Sequence, residues 1–340
     1  MPSFDQNALA GALASFLTTA TGLAAEVVAA RPIAGGASMD TWAIDAAVGG
    51  APHALVLRMD QASNMNPGAL SRADEFALLQ AACAAGVLAP QPRWCSADGA
   101  ALGRPFFLMD RVAGESIGPR VVRRPELAAA RARLAGQLAE QLARIHAIDP
   151  APLAFLPRPA PGRSPAQHAI DDVRGMLAAI GLATPALEFG LRWLEQRAPA
   201  CPQPTLVHGD FRIGNVLVGL GGLSAVIDWE FAHVGDPHED LAWACVRDWR
   251  FGNDALRVGG VGELAPYIAA YQAASGRSVD GAALRFWEIL GNVRWAATCH
   301  SQAHRHLSGA DPSVEYASLG RRAAEMELEF LSLIEEAAGS

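Results

Sequence analysis

Apolar and polar positions divide this chain into a strand-rich beginning and a helical remainder. Residues 5–23 read as a helix, with Asp5 placed as its cap and Gly22 at its end. Three short strands follow, at 27–33, 39–45 and 53–59, joined by Ala34-Gly35-Gly36-Ala37-Ser38 and by Gly49-Gly50. Residues 71–85 read as a second helix. Ser71 and Asp74 are spaced much like a capping box, Gly86 closes the far end, and Phe76, Leu78, Leu79 and Cys83 form the apolar stripe. Two more strands fall near 92–95 and 105–110, separated by Ala97-Asp98-Gly99. Pro125 and Glu126 open a long helix to about His146, whose stripe of Leu127, Leu134, Leu138, Leu142 and Ile145 marks it as scaffold. A proline-rich loop at 149–165 leads to helices near 165–180 and 185–198, and residues 241–340 are helical in pattern.

Between these helices lies a stretch of another kind. The apolar run 205–207 breaks into the polar turn His208-Gly209-Asp210, and Asn215 follows five residues after that aspartate. The chain re-enters a strand at 216–218, turns on Gly219, Gly221 and Gly222, and reaches Asp228 at the end of a second strand, 224–227. Two short β-branched runs around a glycine turn read as a hairpin. It carries Asn215 at one mouth and Asp228 at the other, with Asp210 on the loop before. Asp and Asn in such turns are often only turn formers; here the joint spacing matters. Two hard oxygen ligands and one carboxylate base suit Mg²⁺ and phosphoryl transfer, which asks for a metal clamp on phosphates and a group to orient the attacking hydroxyl.

The Asp-to-Asn spacing matches the kinase catalytic loop H-R-D-x-x-x-x-N, with Gly209 in place of the Arg and Asp228-Trp229-Glu230 in place of Asp-Phe-Gly. The chain resembles the aminoglycoside phosphotransferase family of protein-kinase-like small-molecule kinases. Within it, HGDFRIGN and DWEFAHVGDPHEDLAW are most similar to the branch whose relatives occur fused to acyl-CoA dehydrogenases. The resemblance implies an α+β, bilobal, protein-kinase-like fold. Residues 1–111 would be a small, mostly antiparallel nucleotide-binding lobe with one key helix, and 112–340 a larger, mainly helical catalytic lobe.

It also implies roles. Asp210 would orient or deprotonate the acceptor hydroxyl with Arg212 beside it, while Asn215 and Asp228 hold Mg²⁺. Gly35, Gly36, Ala37 and Ser38 would cover the phosphates of ATP (GTP is left open), although two adjacent glycines alone equally suit an ordinary hairpin. Met109, Asp110 and Val112 would form the hinge whose backbone meets the base. Ala54-Leu55-Val56-Leu57-Arg58 resembles the kinase V-A-I-K strand with Arg58 in the lysine's place. All 27 basic residues are arginine and none is lysine. Arginine keeps the charge and grips phosphate bidentately, so the substitution alters geometry rather than electrostatics; a surface arginine at a strand edge is the alternative. Glu75 would pair with Arg58. Asp236 caps a helix begun by Pro237, and Asp240 reads as a buried brace for the loop, with His208 and Asp236 as further structural residues. The short stretch from Glu230 to Asp236 leaves no room for a long activation loop, and no A-P-E follows. A small-molecule kinase is the better reading than a protein kinase.

Composition narrows the partners. A chain of 340 residues has room for roughly two domains or lobes. It is 51% hydrophobic and 18% charged, as a globular protein is, and a formal net charge of −8 without a basic run argues against nucleic acid. Five scattered cysteines suit reduced thiols in a cytoplasmic protein. The absence of a basic residue before Arg31 argues against a secretory signal, and no long uncharged apolar span suggests a membrane partner. From Leu241 to Arg322, nine arginines face seven acidic residues. A pocket for a polycationic sugar should be acidic. The expected acceptor is therefore anionic, such as a hydroxy acid or hydroxyacyl-CoA, with Arg294 and Arg212 as anchors and His300 lining the pocket. His300 and His304 have metal-ligand spacing, but no Glu follows His300, so a helix face is preferred over zinc. The remaining readings are an aminoglycoside-type antibiotic kinase and a nucleotide-binding pseudokinase. Only Arg58 supports the latter, against Asp210, Asn215 and Asp228.

Overall fold

Asp5 accepts hydrogen bonds from the backbone N–H groups of Asn7 and Ala8, both at 3.0 Å, and so starts α1 (Gln6–Thr21), which Gly22 closes in the left-handed conformation. The computed structural model describes residues 5–33, 39–60 and 68–339. The chain divides into two compact units. One runs up to Gly114 and also takes Ala151–Leu156 and Ser224–Ala232; the other takes Glu115–Pro150, Pro157–Leu223 and the chain from His233 onward.

In the first unit, β1 (Ala25–Pro32), β2 (Met39–Val48) and β3 (Ala51–Asp60) precede α2 (Arg72–Ala84), β4 (Pro92–Ser96) and β5 (Phe106–Asp110). The five strands form one antiparallel sheet in the order β1-β2-β3-β5-β4. Leu9, Leu13 and Leu17, four apart on one face of α1, are buried against Trp42, Ile44, Leu55, Leu57, Met59, Phe106 and Leu108. Each such side chain contributes about 1.5–3 kcal/mol through burial, so this core fixes the sheet that carries Arg58. Ser71 caps α2 by accepting from Asp74 N at 3.1 Å.

The second unit holds α3 (Gly118–Arg123), α4 (Ala128–Ile145), α5 (Pro165–Ala179), α6 (Pro185–Glu195), β6 (Thr205–Val207) and β7 (Val216–Gly219). The chain turns through Leu220-Gly221 into β8 (Gly222–Val226), which passes to the first unit. Then come β9 (His233–Gly235), α7 (Pro237–Trp243), α8 (Leu264–Ser275), α9 (Gly281–Leu307), α10 (Val314–Gly320) and α11 (Ala323–Gly339). α9, at 27 residues, is the axis against which α5, α6, α7, α10 and α11 pack. β6 and β9 pair antiparallel, Leu206 opposite Val234, so His208 and Asp236 leave one small ribbon. Among the described residues no helix is long and apolar enough to cross a membrane.

Three expectations shift. The helix expected from Pro125 opens as a 3-10 turn, Pro125–Leu127, and becomes α-helical only at Ala128. The glycine turn is tighter than expected, with Gly219 ending β7 and Gly222 starting β8. The region after Trp243 is not continuously helical: Arg247–Arg250 forms a 3-10 turn, and Gly252, Gly259, Gly260 and Gly262 keep the chain irregular until Leu264.

Candidate active site

β3 and α2 bring two guanidinium groups into the interior of the first unit. Arg58 Nε lies 3.4 Å from Glu75 Oε1, Arg58 Nη1 donates to Asp228 Oδ1, and Arg58 Nη2 lies 3.9 Å from Glu230. Arg72, fully buried at the first position of α2, donates to Glu75 Oε2 and lies 3.0 Å from Asp60 and 4.0 Å from Glu230. Arg72 sits among Ser71, Asp74 and Glu75, where an arginine reads as exposed, and Glu230, between Trp229 and Phe231, stands out in the sequence only for its place beside Asp228. Burial disfavours the Arg58 cation, but Glu75, Asp228 and Glu230 outweigh it and hold its pKa above the usual value. Burial pushes Glu230 up to about 7; Arg58 and Arg72 oppose that shift, while Asp228 and Glu75 add to it.

Among these side chains four carboxyl groups thus face two guanidinium groups. Among the four, Asp228 is the accessible one, its side chain 38% exposed against 13% for Asp60, 7% for Glu230 and 1% for Glu75. Asp228 also takes a left-handed backbone (φ 63°, ψ 60°), a conformation in which strain collects at functional positions. The accessible Asp228 carboxylate is a hard-oxygen donor of the kind a divalent cation takes. Of the expected hinge, the N–H groups of Asp110 and Arg111 donate to Gln91 and Ala54 carbonyls, each at 2.9 Å, and Asp110 is held by Arg93 at 2.6 and 2.7 Å. Met109 is buried in β5, and Val112 lies just beyond that strand. Gly35, Gly36, Ala37 and Ser38 lie outside the described residues.

In the second unit the loop after β6 is held from below by Asp240, which is fully buried near the start of α7. Its carboxylate accepts from His208 N at 2.7 Å and Gly209 N at 3.0 Å, and meets His146 Nε2 at 3.2 Å. Burial would raise the Asp240 carboxyl, but the His146 hydrogen bond, the electrostatic attraction of the His146 and His208 rings and the His208 N–H outweigh it and hold the pKa below the usual range. Gly209 adopts φ 78° within this turn. His208 Nδ1 accepts from Asp210 N at 3.3 Å. Asp210 is surrounded by donors: Trp243 Nε1 at 2.6 Å and Arg212 Nε at 3.0 Å meet Oδ1, while Asn215 Nδ2 meets Oδ2 at 2.5 Å. Asn215 Nδ2 also reaches the Asp210 carbonyl at 3.0 Å, so these bonds leave Asn215 Oδ1, a hard oxygen, unspent.

Arg212 lies over the Trp249 ring, 4.2 Å from its centroid, and Trp249 contacts Trp243 and Trp295 at 5.7 and 4.6 Å. Arg294, on α9, lies 5.2 Å from the Trp243 centroid and pairs with Glu239 at 3.2 Å. Asp236 accepts from His238 N at 3.0 Å, capping α7, and from Trp287 Nε1 at 3.1 Å; it also meets His238 Nδ1 at 2.6 Å. His300 is not part of the Asp210 cluster: its Nε2 lies 3.6 Å from Glu327 on α11. Among the described residues no group of three or more His, Cys, Asp or Glu side chains is arranged to hold a metal ion.

The phosphotransferase enzyme family (APH) matches residues 29–287, most of the chain. The chain belongs to this family. Its fold is protein-kinase-like, an antiparallel-sheet N-terminal lobe and a helical C-terminal lobe. Over 96% of this APH-family chain, a Ralstonia eutropha protein assigned as an aminoglycoside phosphotransferase has the same fold, with TM-score 0.77 at 20% identity and 98% of that chain covered. A spectinomycin phosphotransferase solved with ADP and spectinomycin matches with TM-score 0.62 at 14% identity, covering 96% of this chain and 99% of its own. Acyl-CoA dehydrogenase family member 11 of Gallus gallus is 28% identical over 347 residues, 96% of this chain but 43% of that protein. The chain spans less than half the length of the curated relatives it first matches.

Proposed function

We propose that this chain transfers the γ-phosphoryl group of ATP to the hydroxyl of a small anionic molecule, a hydroxy acid or hydroxyacyl-CoA. The observation that carries this reading is the setting of Asp210: a carboxylate fixed by three donors, with the Arg212 guanidinium at 3.0 Å and the Arg294 guanidinium over the adjoining Trp243 ring. Glu239 takes Arg294 Nη1, so the other two guanidinium nitrogens can meet an acceptor's carboxylate or phosphate. Two guanidinium groups next to the base, each with donors beyond its own ion pair, favour an anionic acceptor over a polyamine sugar. The relatives named for acyl-CoA dehydrogenase support a coenzyme A thioester within this class.

Asp210 orients the acceptor hydroxyl and takes its proton as the hydroxyl oxygen bonds to the γ-phosphorus. The bond from that phosphorus to the bridging oxygen breaks, and ADP leaves. Arg58, fixed by Glu75, meets the phosphates. Asn215 Oδ1 and Asp228 are the proposed Mg²⁺ ligands; bound there, the metal would neutralise charge on the phosphate oxygens. Most of the acceleration comes from positioning and charge placement. The test is ADP release by the purified protein across short hydroxy acids, their coenzyme A thioesters, sugars, choline and aminoglycosides. Turnover confined to the anionic members and lost in Asp210→Ala is the expected result. Equal turnover of a polyamine sugar and a hydroxy acid would sink the assignment.

A further inference from the structure

We infer that Trp243 is a positioning residue for Asp210, and that it selects Oδ2 of that carboxylate as the oxygen receiving the acceptor's proton. The inference rests on reading Asp210 as the base. An indole N–H can only donate, so Trp243 Nε1, 2.6 Å from Asp210 Oδ1, commits that oxygen to accepting. The contact is shorter than an ordinary N–H···O bond, as charge-assisted bonds are. Arg212 Nε donates to the same oxygen at 3.0 Å. Two donors therefore occupy Oδ1, whereas among the described residues Oδ2 accepts from Asn215 Nδ2 alone and keeps a lone pair for the substrate hydroxyl.

The two donors to Oδ1 are themselves held by a group of packed indole rings. Arg212 lies 4.2 Å over Trp249, which packs on Trp295 at 4.6 Å, and Trp295 Nε1 is anchored to Asp248 Oδ2 at 2.6 Å. Trp243 is buried at the end of α7, three residues after Asp240. One short helix thus braces the loop backbone through Asp240 and orients the loop's reactive carboxylate through Trp243. The acceptor proton passes to Oδ2 as the new oxygen–phosphorus bond forms and ADP departs with the electrons of the broken bond.

Trp243→Phe keeps the ring and removes the N–H. It is expected to lower kcat about 10- to 100-fold, the worth of a hydrogen bond to a charged group, with both KM values changed less than about twofold. Added to Asp210→Ala, it should produce no further fall in the residual rate, because the two residues act as one unit. An equal fall in that background, or an unchanged kcat, overturns the inference. A separate readout needs no turnover: the Trp243 indole N–H resonance of ¹⁵N-labelled full-length protein, assigned through Trp243→Phe, should move upfield in Asp210→Ala. A resonance indifferent to Asp210→Ala overturns the tie even if the enzyme is active. A wild-type protein that forms no phosphate ester, with the indole shift present, overturns the reading of Asp210 as a base and leaves the tie standing. Should Trp243→Phe fail to fold, the wild-type and Asp210→Ala spectra still decide.

Discussion

Arg58 Nε and Glu75 Oε1 meet at 3.4 Å on side chains only 7% and 1% exposed. Glu75 also accepts from Arg72, so one carboxylate separates two buried cations. Neutralising it removes the nearer of the two carboxylates that both share, leaving Arg58 to Asp228 and Glu230 and Arg72 to Asp60 and Glu230. Glu75→Gln is expected to cost about 3–5 kcal/mol of stability, the usual penalty for stripping one partner from a buried ionic cluster. Urea unfolding measures it; a loss below about 1 kcal/mol would mean that water reaches the cluster.

Arg58→Lys restores the residue usual in kinases, yet it should weaken ATP. The guanidinium meets Glu75, Asp228 and Glu230 through three different nitrogens, a fork that a single ammonium cannot reproduce. Nucleotide titration is expected to show about tenfold weaker binding, taking the loss of one charge-assisted hydrogen bond. Equal or tighter binding would contradict the fork.

Acid should weaken the loop through Asp240. Its folded pKa lies below the usual carboxylate value, so its contribution is fully present above that value, about 3.9, and is lost as pH falls through the lower folded value. The stability gap between wild type and Asp240→Ala should therefore be constant near neutrality and shrink below about pH 4. Urea midpoints across that range would show it; a gap independent of pH would mean Asp240 braces the loop without its charge.

Gly214 leaves space for Arg212. It adopts φ 113°, and a Cβ there would stand 2.4 Å from Arg212 Nη1. Gly214→Ala is expected to cost about 1–2 kcal/mol in backbone strain and to push Arg212 off the Trp249 ring. Acceptor kcat/KM should fall about tenfold for one displaced charged hydrogen bond, with ATP binding unchanged. Arg294→Ala should raise acceptor KM by a similar factor and spare ATP. An effect on ATP instead would place Arg294 outside the acceptor's reach.

Local signals were strong wherever one residue fixes a backbone feature. Asp5, Ser71 and Asp236 were visible as caps because a short acceptor followed by helical pattern has few other readings. The kinase-like fold was legible through the family resemblance carried by HGDFRIGN and DWEFAHVGDPHEDLAW, and within the first of these Asp210 and Asn215 meet at 2.5 Å. Long-range pairings outside the family motifs left no trace. β9 is three residues long, too short to show a period, and its pairing with β6 is purely tertiary. Arg72 sits among Ser71, Asp74 and Glu75, where an arginine reads as a solvated helix end; only packing makes it fully buried. Trp243 reads as core because an indole's hydrophobic area dominates its pattern, while its one N–H, directed at Asp210, is invisible in sequence.

The central claim is that Asp210 directs the γ-phosphoryl of ATP onto an anionic hydroxyl. The most direct test is ³¹P NMR of reactions containing Mg²⁺, ATP and either a hydroxyacyl thioester or its free hydroxy acid, with wild type and Asp210→Asn in parallel. A phosphate-ester resonance that grows with ADP in the wild type, and is slowed at least about 10³-fold in the variant, is the predicted result. Ester formation undiminished in Asp210→Asn, or formed only on amine-bearing sugars, would contradict the account.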